Sequence, residues 1–250
     1  MKVFGDYSRY YDLLYRDKDY AAEASYVCEL IREHAPGATH VLDLGCGTGR
    51  HAQLMSMQGY DVTGVDRSDD MLAVARARSS SSLRFEQGDL RELRLGCSYD
   101  VVVSLFHVFS YQTTHADLAA AFQTAHAHLR PGGVLIFDCW YGPAVLTDPP
   151  TVRVKRLHDH ELDVIRIAEP VMHPNDNTVD VCYQMVIHSR ADGLTSEFTE
   201  THVMRYLFNP EVIRYMAAAK FAPVACEEWM SRAAPGSDTW NVVFVARNES

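Results

Sequence analysis

Chemistry first shows in this sequence as a glycine loop with an acid at its head. It reads Val41-Leu42-Asp43-Leu44-Gly45-Cys46-Gly47-Thr48-Gly49. Glycines let a backbone turn tightly and let a ligand approach with no Cβ in the way. Asp66 follows Gly45 by twenty-one residues. A carboxylate at that distance accepts hydrogen bonds from a ribose diol in dinucleotide-binding folds. A helix cap or a surface acid is the bland role for Asp66, but its distance from the loop favours the ribose. Cys46 reads as a small residue filling the loop, not as a nucleophile.

The details of the loop select the ligand. Its spacing is Gly45-x-Gly47-x-Gly49 with Arg50 next, not the G-x-G-x-x-G that seats a pyrophosphate on a helix N-terminus. No Gly-Lys-Ser/Thr follows, so a Walker-type phosphate loop is excluded. Asp43 would repel a pyrophosphate and suits a cation or an ammonium group. A ligand with adenosine at one end and positive charge at the other fits, and S-adenosylmethionine is such a ligand.

The flanking elements must hold this loop. Residues 40–44 read as a buried strand and 50–58 as a helix. Strands are predicted over 61–66, 83–89, 99–104 and 134–139, with helices over 20–33 and 116–129 between them. Ser68 caps a further helix, with Asp69 and Asp70 at its positive end. Strand–helix alternation at this spacing means βαβ units and a parallel sheet. Near-continuous apolar strands agree, because such sheets are covered on both faces. After Trp140 the pattern changes. Four strand-like runs lie between Thr151 and Phe208, at about 152–157, 162–170, 178–189 and 195–207. Asn209-Pro210 opens a last helix, with Asn at its cap. Two last strands are predicted at about 223–229 and 239–246. The reading is one domain over 1–250, with an antiparallel insertion at 151–208.

Composition narrows the class. The chain has 250 residues, 47 % apolar and 22 % charged, which is ordinary for a globular protein. No apolar run approaches the ~18 residues of a membrane span, and no secretory h-region is visible. Net charge is −10, which disfavours a partner gripped through its phosphates, such as a nucleic acid. The six cysteines show no CxxC spacing. Free thiols in a cytoplasmic protein are the expectation. His126 and His128 point apart on a helix, while His158 and His160 can share a strand face. Neither pair has a third ligand, so no metal is expected.

At these residues the chain resembles the class I S-adenosylmethionine-dependent methyltransferases, over at least Tyr20 to Cys139. The resemblance implies a Rossmann-like mixed seven-stranded sheet with helices on both faces, and an antiparallel β insertion after strand five. It implies that Asp43, Gly45, Cys46 and Gly47 line the methionine part of the cofactor. Asp66 would hold the ribose, with Arg67 and Met71 beside the adenine. Gly88-Asp89-Leu90 matches the station that meets the adenine amine. Ser104-Leu105-Phe106 matches the segment facing the sulfonium. Arg130-Pro131-Gly132-Gly133 is the usual entry to strand five.

Tyr7, Tyr11 and Tyr15 fall at i, i+4 and i+8, so they can share one helix face. They cap the sheet or form a lid, where phenols bond the methionine carboxylate and ring faces attract the sulfonium. This N-terminus and the insertion are similar to a narrower group, which methylates the amino group of nucleotide-linked deoxyamino sugars. That resemblance implies a cofactor contact for Tyr15. It also implies that the insertion builds a sugar-nucleotide site and a homodimer surface. One departure stands out: the histidine that group carries after strand four falls on Tyr111, with a histidine earlier at His107.

The acceptor is therefore expected to be a small molecule, most simply the amino group of a nucleotide-activated sugar. Methyl transfer to an amine needs mainly alignment. A hydroxyl acceptor needs a base, and His107 is the candidate, because imidazole titrates near neutrality. Tyr111 would orient the acceptor. Packing at the strand end is the plain role for both. Trp140 and Tyr141 stack a sugar or base, or roof the core. Arg153, Lys155 and Arg156 form a solvated edge or a pyrophosphate patch. The alternatives are an O-methyltransferase of another small metabolite, a silent binding module, and a methyltransferase of RNA or protein.

Overall fold

A computed structural model describes the backbone of residues 8–250 and the side chains of 10–250. Tyr7, expected in the aromatic lid, lies outside the described residues. The elements run α1 (Ser8–Leu14), α2 (Tyr20–His34), β1 (His40–Leu44), α3 (Arg50–Met57), β2 (Asp61–Asp66), α4 (Asp69–Arg76), β3 (Leu83–Gln87) and β4 (Tyr99–Ser104). A 3₁₀ turn (Val108–Tyr111), α5 (His115–Ala127), β5 (Leu129–Trp140) and α6 (Gly142–Thr147) follow. Then come β6 (Arg153–His158), β7 (Leu162–His173), β8 (Thr178–Ser189), β9 (Thr195–Arg205), α7 (Asn209–Ala218), β10 (Phe221–Glu228) and β11 (Asn241–Asn248).

Seven strands form one sheet in the order β10-β11-β5-β4-β1-β2-β3. The five from β3 to β5 are parallel, and β11 runs antiparallel to both its neighbours, so β10 points the same way as the five. Strand alternation divides its apolar residues between two cores. Leu42, Val102, Leu135, Phe137, Val242 and Phe244 enter one core. Val41, Val101, Val103, Ile136, Val243 and Val245 enter the other. Each such side chain is fully buried, or within 2 % of it, and contributes roughly 1.5–3 kcal/mol. That double burial is why the strands read as continuous apolar runs.

The helices start where side-chain caps stand. Asp19 accepts from Ala22 N at 2.9 Å at the start of α2, and Ser68 accepts from Met71 N at 3.3 Å at the start of α4. At α7 the cap position is Phe208, with Asn209 and Pro210 already inside the helix. That shifts the expected Asn209 cap by one residue. Arg130 to Gly133, expected as a turn before strand five, is a bulge within it. Tyr99 pairs with Leu129 and Val101 with Val134, so the four residues stand opposite Asp100. Arg130 Nη1 meets Asp100 Oδ1 there at 2.6 Å. The loop signals after Trp140 include the short helix α6.

β6 to β9 form a separate antiparallel sheet in sequence order. Its inner face carries Val164, Met185 and Ile187, which pack on Leu14, Tyr11 and Tyr15. Val181 and Met204 pack near Tyr111 and Trp140. The second sheet thus covers the carboxyl ends of β1 and β4. Those two strands are adjacent, and the chain leaves them toward opposite sides of the sheet. Such a reversal opens a crevice where open α/β sheets bind ligands. His158 is the last residue of β6 and His160 lies beyond it, so the two do not share a strand face.

Candidate active site

A cavity of about 920 Å³ fills this crevice. Its floor is the loop after β1. Gly45, Cys46, Gly47 and Thr48 line it, as does Asp43. Gly45 and Gly47 have φ of +84° and +55°, which L side chains adopt at a cost. A Cβ on Gly45 would lie 2.6 Å from both methyls of Val108. Glycine is required there by backbone conformation and by space.

Asp43 is 2 % exposed, and its Oδ1 is buried with no hydrogen-bond partner. Burial, with the neighbouring Asp66 charge behind it, pushes its carboxyl up to about 7. A buried carboxylate of this kind is stabilised by a cation. Asp66 sits across the loop. Its Oδ2 accepts from Gly47 N at 2.9 Å and its Oδ1 from Ser68 N at 2.8 Å. Burial raises its pKa as well, against those two bonds. The two acids make an anionic floor sealed from bulk water on one side.

Arg67, Met71, Gly88, Asp89 and Leu90 line the far end. Arg91 grips both oxygens of Asp89, through Nε at 2.9 Å and Nη2 at 2.5 Å. Those bonds lower the Asp89 pKa. Asp89 is thus a fixed carboxylate. Leu105, Phe106 and His107 line the opposite wall. Ser104, expected to face the sulfonium, does not reach the cavity. It is fully buried, and its hydroxyl donates to Leu44 O at 2.7 Å, bracing β4 on β1. The cavity wall begins one residue later.

Phe106 and His107 are consecutive non-glycine residues with φ of +66° and +65°. Such a conformation costs on the order of 1–3 kcal/mol per residue and needs surrounding support. Asp138 on β5 supplies it. His107 N lies 3.2 Å from each oxygen of Asp138, and His107 Nδ1 lies 2.8 Å from Oδ2. The roof is aromatic. Tyr11 and Tyr15 have ring centroids 4.7 Å apart, and Tyr15 meets Phe106 edge-on at 5.1 Å. Tyr15 lies just beyond the end of α1, so the pair meets across the helix end rather than on one continuous face.

Several lining residues were not legible as such. Tyr20 and Arg50 stand together, with Arg50 Cζ 4.8 Å from the Tyr20 ring centre. Tyr20 Oη is buried without a partner, and burial raises its pKa. From the second sheet come Tyr183 and His202, beside Arg153, which the sequence had already offered for a pyrophosphate. Tyr111 faces them, its Oη 2.8 Å from His202 Nδ1. The signal for the last pair was the alternation along β9. Glu200 and His202 are two apart on a strand, so they share a face. His202 Nε2 lies 3.1 Å from Glu200 Oε1. Lys155 Nζ donates to Leu14 O at 2.5 Å, so it braces α1 rather than standing on a free edge. His126 bonds Ser250 and His128 bonds Thr124 O, so the two turn apart as expected. Among the described residues no cluster of His, Cys, Asp or Glu has the makings of a metal site.

Residues 41–133 match a family described as a methyltransferase domain. The chain is 32 % identical over 216 residues to a dTDP-3-amino-3,4,6-trideoxy-alpha-D-glucopyranose N,N-dimethyltransferase of Streptomyces venezuelae, covering 86 % of this chain and 89 % of the relative. The crystal structure of Streptomyces venezuelae DesVI superposes with a TM-score of 0.81 at 30 % identity, over 96 % of this chain and 98 % of that one. CalS10 of Micromonospora echinaspora is an amino pentose methyltransferase solved with S-adenosylmethionine bound. It matches with a TM-score of 0.78 at 27 % identity, over 99 % of this chain and 98 % of that one.

Proposed function

Because the chain belongs to the S-adenosylmethionine-dependent methyltransferases, alongside the dTDP-aminosugar N,N-dimethyltransferases, we propose that it methylates the amino group of a nucleotide-linked amino sugar. Asp43 carries the cofactor half of that reading. Its unpartnered Oδ1, on a carboxyl raised to about 7, asks for a cation in the cavity. The buried, unpartnered Tyr20 Oη beside Arg50 asks for an acceptor oxygen at the same end. The donor set therefore fits S-adenosylmethionine, which pairs a sulfonium and an ammonium with a carboxylate.

The residue roles follow from position. Asp43 balances the cationic end, and Tyr20 with Arg50 takes the carboxylate. Asp66 accepts from the ribose hydroxyls. Arg67 and Met71 flank the base, whose amine meets the Asp89–Leu90 segment. Tyr11, Tyr15 and Phe106 close over the ligand and exclude water. When bound, S-adenosylmethionine supplies an activated methyl whose leaving group departs neutral, so the chain needs no general acid. Its main task is alignment, which is worth about 7–11 kcal/mol in a well-held pair. The acceptor lies on the second-sheet side, against Tyr111 and Tyr183, with Arg153 placed for its phosphates.

A hydroxyl acceptor is the second reading. It is favoured by His107, an imidazole on the cavity wall with a buried carboxylate 2.8 Å from its Nδ1. A carboxylate at that distance favours a protonated imidazole by its charge, as a general base needs, while Nδ1 makes no aligned hydrogen bond to it. We also place a homodimer contact on the outer face of the second sheet, where Val154, Val171 and Val203 are exposed by 47, 54 and 37 %. Sedimentation of the purified protein checks it. We place the protein in the cytoplasm, in keeping with six unpaired cysteines. No helix of the described residues is long and apolar enough to cross a membrane.

An end-point mass measurement tests the central reading. Purified protein and S-adenosylmethionine are mixed with dTDP-amino sugars and with hydroxyl-only dTDP sugars. The expected result is a gain of methyl mass on amino sugars alone. Methylation of the hydroxyl-only sugars would favour the second reading. No methylation of any member would overturn the sugar assignment.

A further inference from the structure

The second sheet brings an unassigned proton path to the cavity. Tyr111 Oη, His202 and Glu200 stand in a row, 2.8 Å from Oη to Nδ1 and 3.1 Å from Nε2 to Oε1. His202 is 2 % exposed and Glu200 6 % exposed, on the inner face of β9. Tyr111 and His202 both line the cavity. The proton positions follow from the partners. A carboxylate only accepts, so Nε2 carries the hydrogen that bonds Glu200. In a neutral imidazole Nδ1 is then the acceptor, and the Tyr111 hydroxyl donates to it. This is the order of groups in a hydroxyl–imidazole–carboxylate triad, with a phenol in the place of the nucleophile.

An alkyl amine is an ammonium near neutral pH, with a pKa between about 8 and 10.4, and an ammonium has no lone pair to attack with. Resting on the amine-acceptor reading, we infer that Tyr111, His202 and Glu200 form a relay that removes the acceptor's ammonium proton. Tyr111 touches the acceptor; His202 acts through it, and Glu200 through His202. An N–H bond of the ammonium breaks, its proton goes to Tyr111 Oη, and the nitrogen keeps the electron pair. The Tyr111 O–H bond breaks as its own proton moves to His202 Nδ1. His202 becomes an imidazolium held at Nε2 by Glu200. One positive charge has moved from the substrate to the protein. The proton returns to water by the same route once the product has left.

The surroundings suit a relay better than a stored phenolate. Burial pushes the Tyr111 phenol well above its ordinary value, with Tyr183, Tyr15 and Glu200 adding to it and Arg67 opposing. Tyr111 must therefore hand its proton on. The groups facing His202 include Tyr111 from the 3₁₀ turn, the Tyr183 ring of β8 at 5.0 Å, and Glu200 of its own strand. Arg166 of β7 stands behind, 5.1 Å from the Tyr183 ring centre. The carboxylate of Glu200 is in direct contact with His202, and it sets where the positive charge rests.

Two readouts test the relay. Nitrogen NMR of the protein labelled in its histidines, assigned with His202→Gln, should show Nε2 protonated and Nδ1 bare. The Nδ1–H tautomer would overturn the relay, and this holds without any substrate. Tyr111→Phe and His202→Gln should each lower kcat/KM for a dTDP-amino sugar about 100-fold at about pH 7, in the range of general-base losses. The loss should shrink about tenfold or more near pH 9.5, where the amine carries less charge. Glu200→Gln should lose less than either. S-adenosylhomocysteine binding by calorimetry shows that each variant is folded. Losses that stay constant with pH would mean a structural role and sink the relay. If the wild type methylates no amino sugar, the substrate reading fails, and the tautomer still decides the geometry.

Discussion

Arg78 Nη2 donates to Asp12 Oδ2 at 2.8 Å, and this contact ties α1 to the segment after α4. The other oxygen of Asp12 accepts from Thr48 Oγ1 at 2.9 Å, within the glycine loop. The aromatic roof is thus fastened to the floor it covers. The pair is partly exposed, so it is worth roughly 1 kcal/mol. Arg78→Ala should weaken S-adenosylmethionine binding about fivefold in calorimetry, with little change in melting temperature. A melting loss as large as the binding loss would show that Asp12 serves stability rather than closure.

Asp43 makes binding depend on pH in a stated direction. Its carboxyl ionises near 7 in the empty cavity, against an ordinary value of 3.8. Below pH 7 a cationic ligand must first expel a proton, so affinity should fall by up to about tenfold per pH unit. The stability effect has the opposite sign. Between 3.8 and 7 the folded protein holds a proton that the unfolded chain has released. Asp43 therefore lowers stability as pH rises, fully so above 7. Asp43→Asn should melt higher than the wild type when empty at pH 8, yet gain nothing from S-adenosylmethionine. An Asn variant that still binds with the wild-type pH profile would remove Asp43 from the site.

Gly45 is held by two separate constraints, and a double variant separates them. Alanine at position 45 puts a Cβ 2.6 Å from both Val108 methyls at φ +84°. The backbone part costs roughly 1–2 kcal/mol, and the overpacking part roughly 1–3. Gly45→Ala should lose both in urea unfolding. Gly45→Ala with Val108→Ala should recover only the packing share, after allowing for Val108→Ala alone. Full recovery would mean that the left-handed backbone costs nothing there.

The cofactor half of the site was legible because it is local. Asp43, the glycines and Asp66 sit at the ends of neighbouring parallel strands, so spacing along the chain carries their meeting. Ser104 was misplaced by one residue, since only the pairing of β4 with β1 decides that its hydroxyl turns to Leu44 O. In the acceptor half Tyr111, His107 and Arg153 were named from the sequence, but their partners on the second sheet were not. Tyr111 and His202 are 91 residues apart, and their contact depends on how β9 folds over the 3₁₀ turn. No periodicity encodes that. The support of the strained Phe106–His107 backbone by Asp138 was equally invisible, because it rests on dihedral angles rather than residue types.

That strained backbone offers a clean test of the imidazole of His107. Alanine and glycine at 107 both remove the ring and its contact with Asp138, but alanine keeps a Cβ at φ +65°. Glycine adopts that φ without penalty, and its N–H keeps the bonds to Asp138. His107→Gly should therefore hold the cavity wall and bind S-adenosylmethionine within about threefold of the wild type. With an amine acceptor, whose proton leaves through Tyr111, kcat should fall less than about tenfold. With a hydroxyl acceptor the lost base should cost about 100-fold or more. Single-turnover rates on both acceptor types, each compared with Tyr111→Phe, decide which group takes the proton. A severe loss on amino sugars in His107→Gly together with a mild one in Tyr111→Phe would assign the base to His107 and leave the second sheet a purely binding role.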